Sequence, residues 1–324
     1  MQDKIAVEEH FAIAETTAKS ARYPTKGYWA DLQRQLLDFH DERLAEMDKA
    51  GIEMAVLSLN SPALQGLKAA APAVDLARKA NDFLAEQVVK QPDRFAALAA
   101  LPMQDPDAAA RELTRCVRDL GFKGALVNGF SEAGAGGEGA IYYDGPAYLP
   151  FWAQVERLGV PFYLHPRDPI PSRMRAYDGH PWLVGSPWGF AEEASLHALR
   201  LIGSGLLDVH PNLQIVLGHL GERIPYDLWR LDHRLTKVPG LRIKRKMGDY
   251  FRSNFFLTTS GHFSTRALMH AAMEVGTDRI LFSVDYPFED NSHAASWFDH
   301  AEIAEADRLK IGRLNAIKLF GLNG

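Results

Sequence analysis

The sequence predicts an α/β fold, a (β/α)8 barrel of the TIM type. Three observations carry that expectation. Strand-like and helix-like segments alternate along the whole chain. The 324 residues suit eight βα units. Polar residues stand at the ends of apolar runs: Glu8 and His10 after residues 4–7, His165 after 160–164, His219 after 213–218, and Asp285 after 280–284. In a barrel, the C-terminal ends of all strands share one mouth, so these residues converge. A doubly wound open sheet is the competing architecture. It wants a Gly-rich phosphate loop after the first strand, where this chain has Glu8-Glu9-His10.

The elements follow in order. Residues 4–7 form the first strand, and 12–31 an irregular stretch. A helix spans 32–50 and closes at Gly51. Strand two is 53–59, followed by an amphipathic helix over 73–90 with Pro92 as its stop. Strand three is 95–101, although alanine is a weak strand former. Asp105 caps a helix that ends near Gly121. Strand four is 123–127, and 130–142 is a Gly-rich excursion. A helix over 148–158 ends at Gly159 and leads into strand five, 161–164. The long loop 166–188 is expected to be functional. Then come a helix over 192–203, strand six over 214–217, a helix over 223–235 and an insert near 238–250. Strand seven is 255–259, a helix covers 265–275, and strand eight is 280–284. Two helices, from about 301 and 315, close the chain. There is no repeat or linker, so one domain is expected over 1–324.

Composition excludes several classes. Hydrophobic residues make up 47% and charged residues 24%, an ordinary globular balance. A net charge of −5 leaves no electrostatic footprint for nucleic acid or an anionic membrane. The one cysteine, Cys116, rules out an internal disulfide and a cysteine-rich metal site. It suits a cytoplasmic location. No apolar run approaches the ~20 residues that span a bilayer, and the acidic N-terminus enters a strand at once, unlike a signal peptide.

Side chains alternate along a strand, so Glu8 and His10 share one face and Glu9 takes the other. A carboxylate and an imidazole at a strand end are half of a metal site; the other strand-end residues supply the rest. Imidazoles with carboxylates suit Zn²⁺, Mn²⁺ or Fe²⁺ better than Ca²⁺ or Mg²⁺. Taken singly, each residue has a plainer role: a solvent-facing histidine, a turn aspartate, a charged edge at Glu8-Glu9. Their joint placement is what points to a metal. His219 opens Gly218-His-Leu-Gly-Glu222 at a strand-to-helix junction. Glu222, three residues on, reaches back to the imidazole if a helix starts here. That pairing would orient the ring, raise its pKa and make it a proton shuttle. Arg230, two turns further, offers a positive charge to a substrate carboxylate; its plainer role is a surface ion pair with Asp227 or Asp232. Of the remaining histidines, His180 and His262 stand on loops that can reach the mouth.

These residues carry a family resemblance. Val7-Glu-Glu-His-Phe11, Asp93-Arg-Phe95, Ala99-Ala-Leu-Pro102, Gly121-Phe-Lys-Gly-Ala-Leu-Val-Asn-Gly129, Val160-Pro-Phe-Tyr-Leu-His-Pro166, Val216-Leu-Gly-His-Leu-Gly-Glu222, Leu257-Thr-Thr-Ser-Gly261 and Arg279-Ile-Leu-Phe-Ser-Val-Asp285 cover nearly the whole chain. The chain resembles the amidohydrolase superfamily in its metal-dependent decarboxylase branch, nearest the γ-resorcylate (2,6-dihydroxybenzoate) decarboxylases. The resemblance implies one divalent metal, Mn²⁺ or Zn²⁺, on Glu8, His10, His165 and Asp285. Glu8 stands where hydrolytic relatives carry the first His of a His-x-His pair. The resemblance also implies orienting roles for His219, Glu222 and Arg230, a small aromatic carboxylate as substrate, and a homodimer or homotetramer. Two stretches depart from the pattern: Tyr286, where Trp is frequent, and the loop 22–27. Both bear on the preferred ring substituents.

The expected reaction is loss of CO₂ from an ortho-hydroxybenzoate. Asp285 acts as the acid that protonates the ring carbon, with His219 and Glu222 tuning it. Phe190, Trp188, Tyr286 and Phe288 are expected to wall the pocket, with Asn128 also against the substrate. A metal hydrolase of a lactone or amide is the rival on the same barrel. A non-catalytic binding protein would show a damaged ligand set.

Overall fold

The structure, a computed structural model, describes residues 1–17, 26–133 and 139–322. Eight parallel strands form the barrel wall: β1 (Lys4–Phe11), β2 (Ile52–Leu59), β3 (Phe95–Ala97), β4 (Ala125–Asn128), β5 (Phe162–His165), β6 (Ile215–Leu217), β7 (Phe255–Thr258) and β8 (Ile280–Leu281). β1, β2 and β3 pair in one sheet, and β4 through β8 in another. Two parallel bridges join them, Ala99 with Ala125 and Glu9 with Tyr286, and these close the barrel. The doubly wound alternative is thereby excluded.

Alternation divides the strands between two clusters. Val56, Leu98, Leu126, Tyr163, Val216, Phe256 and Leu281 fill the interior with Ile5 and Val7. Their neighbours, such as Leu57, Leu164, Leu217 and Leu257, pack outward with the helices. Ala316, Phe320 and Leu322 join the interior cluster, so the C-terminal helix Asn315–Phe320 helps plug one end. The polar strand ends occupy the other.

β1 breaks the simple alternation. Its register against β2 slips between Ala6 and Glu9, placing one extra residue on β1. A bulge re-aims the side chains beyond it. Val7 joins the interior cluster, and Glu8 beside it also faces the mouth, as does His10. Without the slip, Glu8 would share a face with Ala6, which packs outward.

Several elements differ from expectation. The helix over 32–50 is two helices, Lys26–Leu37 and Glu42–Ala50. Asp38 ends the first and accepts the Arg43 amide at 2.7 Å at the start of the second. Gly51 takes the left-handed C-cap, as expected. β3 and β8 are shorter than expected, their ends held by the two closing bridges. The excursion after β4 contains a hairpin of Ser131–Ala133 with Gly139–Ile141. The loop after β5 holds two 3₁₀ turns, Pro171–Tyr177 and Pro181–Leu183. A helix at Asn291–His300, capped by the Asp290 side chain, was not anticipated. No helix of the described residues is long and apolar enough to cross a membrane.

Candidate metal centre

Four predicted ligands meet at the mouth. One ligand atom from each of Glu8, His10, His165 and Asp285 lies within 4.8 Å of the others. His10 Nε2 is 3.1 Å from Asp285 Oδ1, and His165 Nε2 is 3.2 Å from Glu8 Oε1. The two imidazole rings meet edge-on at 4.7 Å. Glu8 and His10 are fully buried.

Hydrogen bonding divides the Glu8 carboxylate in two. Oε2 accepts from the hydroxyls of Tyr163, Thr258 and Ser260. Among the described residues, buried Oε1 and His10 Nε2 make no hydrogen bond of normal geometry; their near neighbours are the other members of the cluster. Buried polar atoms are rarely left so unless a ligand or ion completes them. The donor set and these bare atoms fit a divalent cation held by imidazole and carboxylate. Ser58 Oγ meets His10 Nδ1 at 3.2 Å, which leaves Nε2 to face the site. Gly218 leaves room for the carboxylate: a Cβ there would stand 2.9 Å from Glu8 Oε2.

The charges are interlocked. Burial alone would raise the Glu8 carboxyl, but His219, His165 and His10 hold it far below the usual carboxylate range. Burial also opposes ionisation of Asp285, yet His10 and His219 pull its pKa down. Burial lowers His165. Loss of solvent opposes the charge on His219 as well, but Glu222 and Glu8 outweigh that and raise it well above the ordinary imidazole value.

His219 Nδ1 meets Glu222 Oε1 at 2.8 Å, as the sequence suggests, but by another route. Residues 219–223 all have positive φ, between 51° and 85°. The carboxylate therefore curls back through a left-handed turn and not through a right-handed helix. Helix Ile224–Leu235 begins only after it. His219 Nε2 then points at Asp285 Oδ2, 3.6 Å away, and at Glu8 Oε1, 3.8 Å away. Gly261 leaves room for this pair: a Cβ there would lie 3.1 Å from His219 Cδ2 and 3.4 Å from Asp285 Oδ2.

This amounts to a preformed cation site with an imidazole–carboxylate pair beside it. The amidohydrolase family pattern matches residues 24–322. The chain belongs to the amidohydrolase family. The γ-resorcylate decarboxylase of Rhizobium sp. (strain MTP-10005) is 58% identical over 327 residues, covering 100% of both chains. A crystal structure of 2,6-dihydroxybenzoate decarboxylase complexed with 2,6-dihydroxybenzoate superposes at a TM-score of 0.97, with 57% identity over 99% of this chain and 100% of that one. A dihydroxybenzoic acid decarboxylase from Polaromonas sp. JS666, solved with bound manganese and the inhibitor 2-nitroresorcinol, gives 0.97 and 55% over 100% and 98%.

The other expected residues of this amidohydrolase are scattered. Phe288 is at the mouth, its ring 5.7 Å from that of His10. Asn128 ends β4 in register with His165; its Nδ2 donates to the Leu59 carbonyl at 3.2 Å, and its buried Oδ1 accepts no hydrogen bond. Tyr286 is a correction: its ring lies under the Arg43 guanidinium at 4.7 Å, beside Glu9 and Met47 and outside the barrel. Alternation from Asp285 turns it away from the mouth. Arg230 is exposed. It lines a cavity of about 600 Å³ with Trp188, Glu222 and Arg223. Among the described residues it pairs with neither Asp227 nor Asp232; Asp232 instead accepts the Met247 amide. Trp188 is half-exposed, its ring under the Arg223 guanidinium at 3.6 Å. Phe190 is partly buried in the first turn of helix Gly189–Gly203 and makes no aromatic contact among the described residues. His180 and His262 are both exposed. Of the divergent loop 22–27, residues 22–25 lie outside the described residues.

Sequence reasoning passed over Tyr163, Thr258 and Ser260. The signal was present: Tyr163 is two residues before His165, and Thr258 and Ser260 alternate onto the same inner face.

Proposed function

We propose that this chain is a non-oxidative, metal-dependent carboxy-lyase that converts 2,6-dihydroxybenzoate (γ-resorcylate) to resorcinol and CO₂. The observation that carries this reading is the path from Glu222 through His219 to Asp285, set beside an intact ligand set. Full-length similarity to decarboxylases that act on this substrate supports it. Glu8, His10, His165 and Asp285 would hold one Mn²⁺ or Zn²⁺, which supplies a Lewis acid and a template for the carboxylate and the adjacent phenol oxygen.

The chain's own residues then handle the proton. Asp285, which His10 and His219 hold ionised at rest, takes a proton from the His219 imidazolium and delivers it to the ring carbon that bears the carboxylate. That carbon becomes tetrahedral and the ring loses aromaticity. The C–C bond breaks, its electron pair returns to the ring, and CO₂ leaves. His219 makes that transfer to Asp285 Oδ2, and Glu222 keeps the imidazole charged and aimed. Phe288 walls the pocket and excludes water. Asn128 Oδ1 offers an acceptor to a ring hydroxyl. Phe190 and Arg230 take the entrance, away from the reacting carbon.

The test is elemental analysis of purified protein combined with a screen of hydroxybenzoates for CO₂ release. The expected result is one Mn²⁺ or Zn²⁺ per chain and CO₂ from 2,6-dihydroxybenzoate. Hydrolysis of a lactone or amide with no CO₂ from any hydroxybenzoate would replace this reading with the hydrolase.

We further propose one barrel domain that assembles as a homodimer or homotetramer in the cytoplasm. Tyr226 and Trp229 project from helix Ile224–Leu235 at 80% and 74% exposure, a cost that an oligomer contact removes. The single cysteine, Cys116, is buried.

A further inference from the structure

Glu9 takes no part in the chemistry above, yet its carboxylate is buried, on the face of β1 opposite Glu8 and His10. Oε1 accepts the Val284 amide at 2.9 Å and the Ser283 hydroxyl at 3.1 Å. Oε2 accepts the Tyr286 amide at 3.2 Å. These donors bracket Asp285. The amide of Asp285 itself donates to the Glu8 carbonyl at 3.1 Å, and that of His10 to the Tyr286 carbonyl at 2.7 Å. Buried Arg43 ties in the same corner, donating to the His10 carbonyl at 2.6 Å.

Asp285 needs this restraint. Its φ is 82°, a left-handed conformation unfavourable for a residue with a side chain. The two amides beside it must be held in a fixed direction for that shape to persist. Only a group with two acceptor oxygens satisfies both amides; a glutamine would turn an N–H₂ toward one of them.

We infer that Glu9 is a positioning residue: its carboxylate grips the amides on either side of Asp285 and so sets the aim of that side chain toward metal and substrate. The inference rests on the role given to Asp285 above, but its decisive test does not need turnover.

The experiment is a double-mutant cycle on metal affinity, read by chelator competition with Mn²⁺. Glu9→Gln is expected to weaken Mn²⁺ binding about ten-fold or more in the otherwise native chain. In the Asp285→Asn background the same change is expected to cost less than about two-fold, because the group it aims no longer serves. Equal losses in both backgrounds, or none in the native one, overturn the proposal. In turnover of 2,6-dihydroxybenzoate, kcat is expected to fall about ten-fold with KM within about three-fold; a change confined to KM also overturns it. Glu9→Asp keeps both acceptors but draws them back, and is expected to lose less at each readout. It carries the same cycle where Glu9→Gln does not fold. If no hydroxybenzoate releases CO₂, the decarboxylase reading falls while the metal cycle still decides on Glu9.

Discussion

Two faces of the same strand ends differ in one respect that separates binding from support. Inside the mouth, Glu8 Oε1 and His10 Nε2 are buried and, among the described residues, make no hydrogen bond of normal geometry. Outside, Glu9 is equally buried, and both its oxygens are taken by donors from residues 283–286. Three acidic or basic side chains in a row thus carry opposite hydrogen-bonding states. The bare atoms mark where a ligand belongs, and the satisfied ones mark scaffold. Burial alone does not make that distinction.

That contrast can be broken most sharply at Asp285. Asp285→Asn keeps the shape but removes the acid, and CO₂ release is expected to fall by about 10³-fold or more. Substantial activity in that variant would remove the proton-donor role. Glu222→Gln acts further from the metal. Turnover is expected to drop about ten- to a hundred-fold while bound metal, measured by elemental analysis, stays near one per chain. Metal loss there would move Glu222 among the supports of the ligands. Ser260→Ala removes one of the three hydroxyls on Glu8 Oε2, and chelator competition is expected to show about a few-fold weaker metal binding. No change would mean that the other two hydroxyls hold the carboxylate unaided.

The smallest effect lies away from the mouth, at His197. It is buried, where His219 is partly exposed, and among the described residues it has no carboxylate partner of that kind; its Nε2 accepts the Tyr143 amide at 3.2 Å. Burial, with Arg200 nearby, pushes its pKa down to about 3. The unfolded chain therefore binds more protons at this site than the folded one below the ordinary value of 6.5. The sign follows: the stability from neutral His197 is complete above pH 6.5 and declines as pH falls toward 3, by at most about 1.4 kcal/mol per pH unit. Denaturant titrations of His197→Gln across that window are expected to show a flatter acid limb. An unchanged slope would assign the acid sensitivity to other groups.

Much of this was legible in the residues, and the failures share a cause. The barrel and the strand-end cluster of Glu8, His10, His165, His219 and Asp285 follow from apolar runs ending in polar residues, the four-ligand set from the family resemblance, and the His219–Glu222 pair from its spacing of three. The same alternation rule also covers Tyr163, Thr258 and Ser260, and it turns Tyr286 away from the mouth once Asp285 is known to face inward. What alternation cannot supply is its own interruption. The slip between Ala6 and Glu9 is set by pairing with β2, a contact about fifty residues away in the chain. Arg43 is invisible for a related reason. It lies on a helix whose break at Asp38 is fixed by a capping contact, and its role is defined by the carbonyl of His10.

The left-handed stretch at residues 219–223 has a consequence for engineering. Apart from Gly221, its residues sit in a region that side chains avoid, at a cost of roughly 1–3 kcal/mol each. No short peptide with this sequence would hold that shape, so the imidazole–carboxylate pair exists only because the finished barrel imposes it. Redesign for thermal robustness would find these positions inviting, since relaxing them toward ordinary helix gains stability. It would do so by dismantling the imidazole–carboxylate pair, and a library selected on melting temperature alone would be expected to enrich for barrels that have lost it.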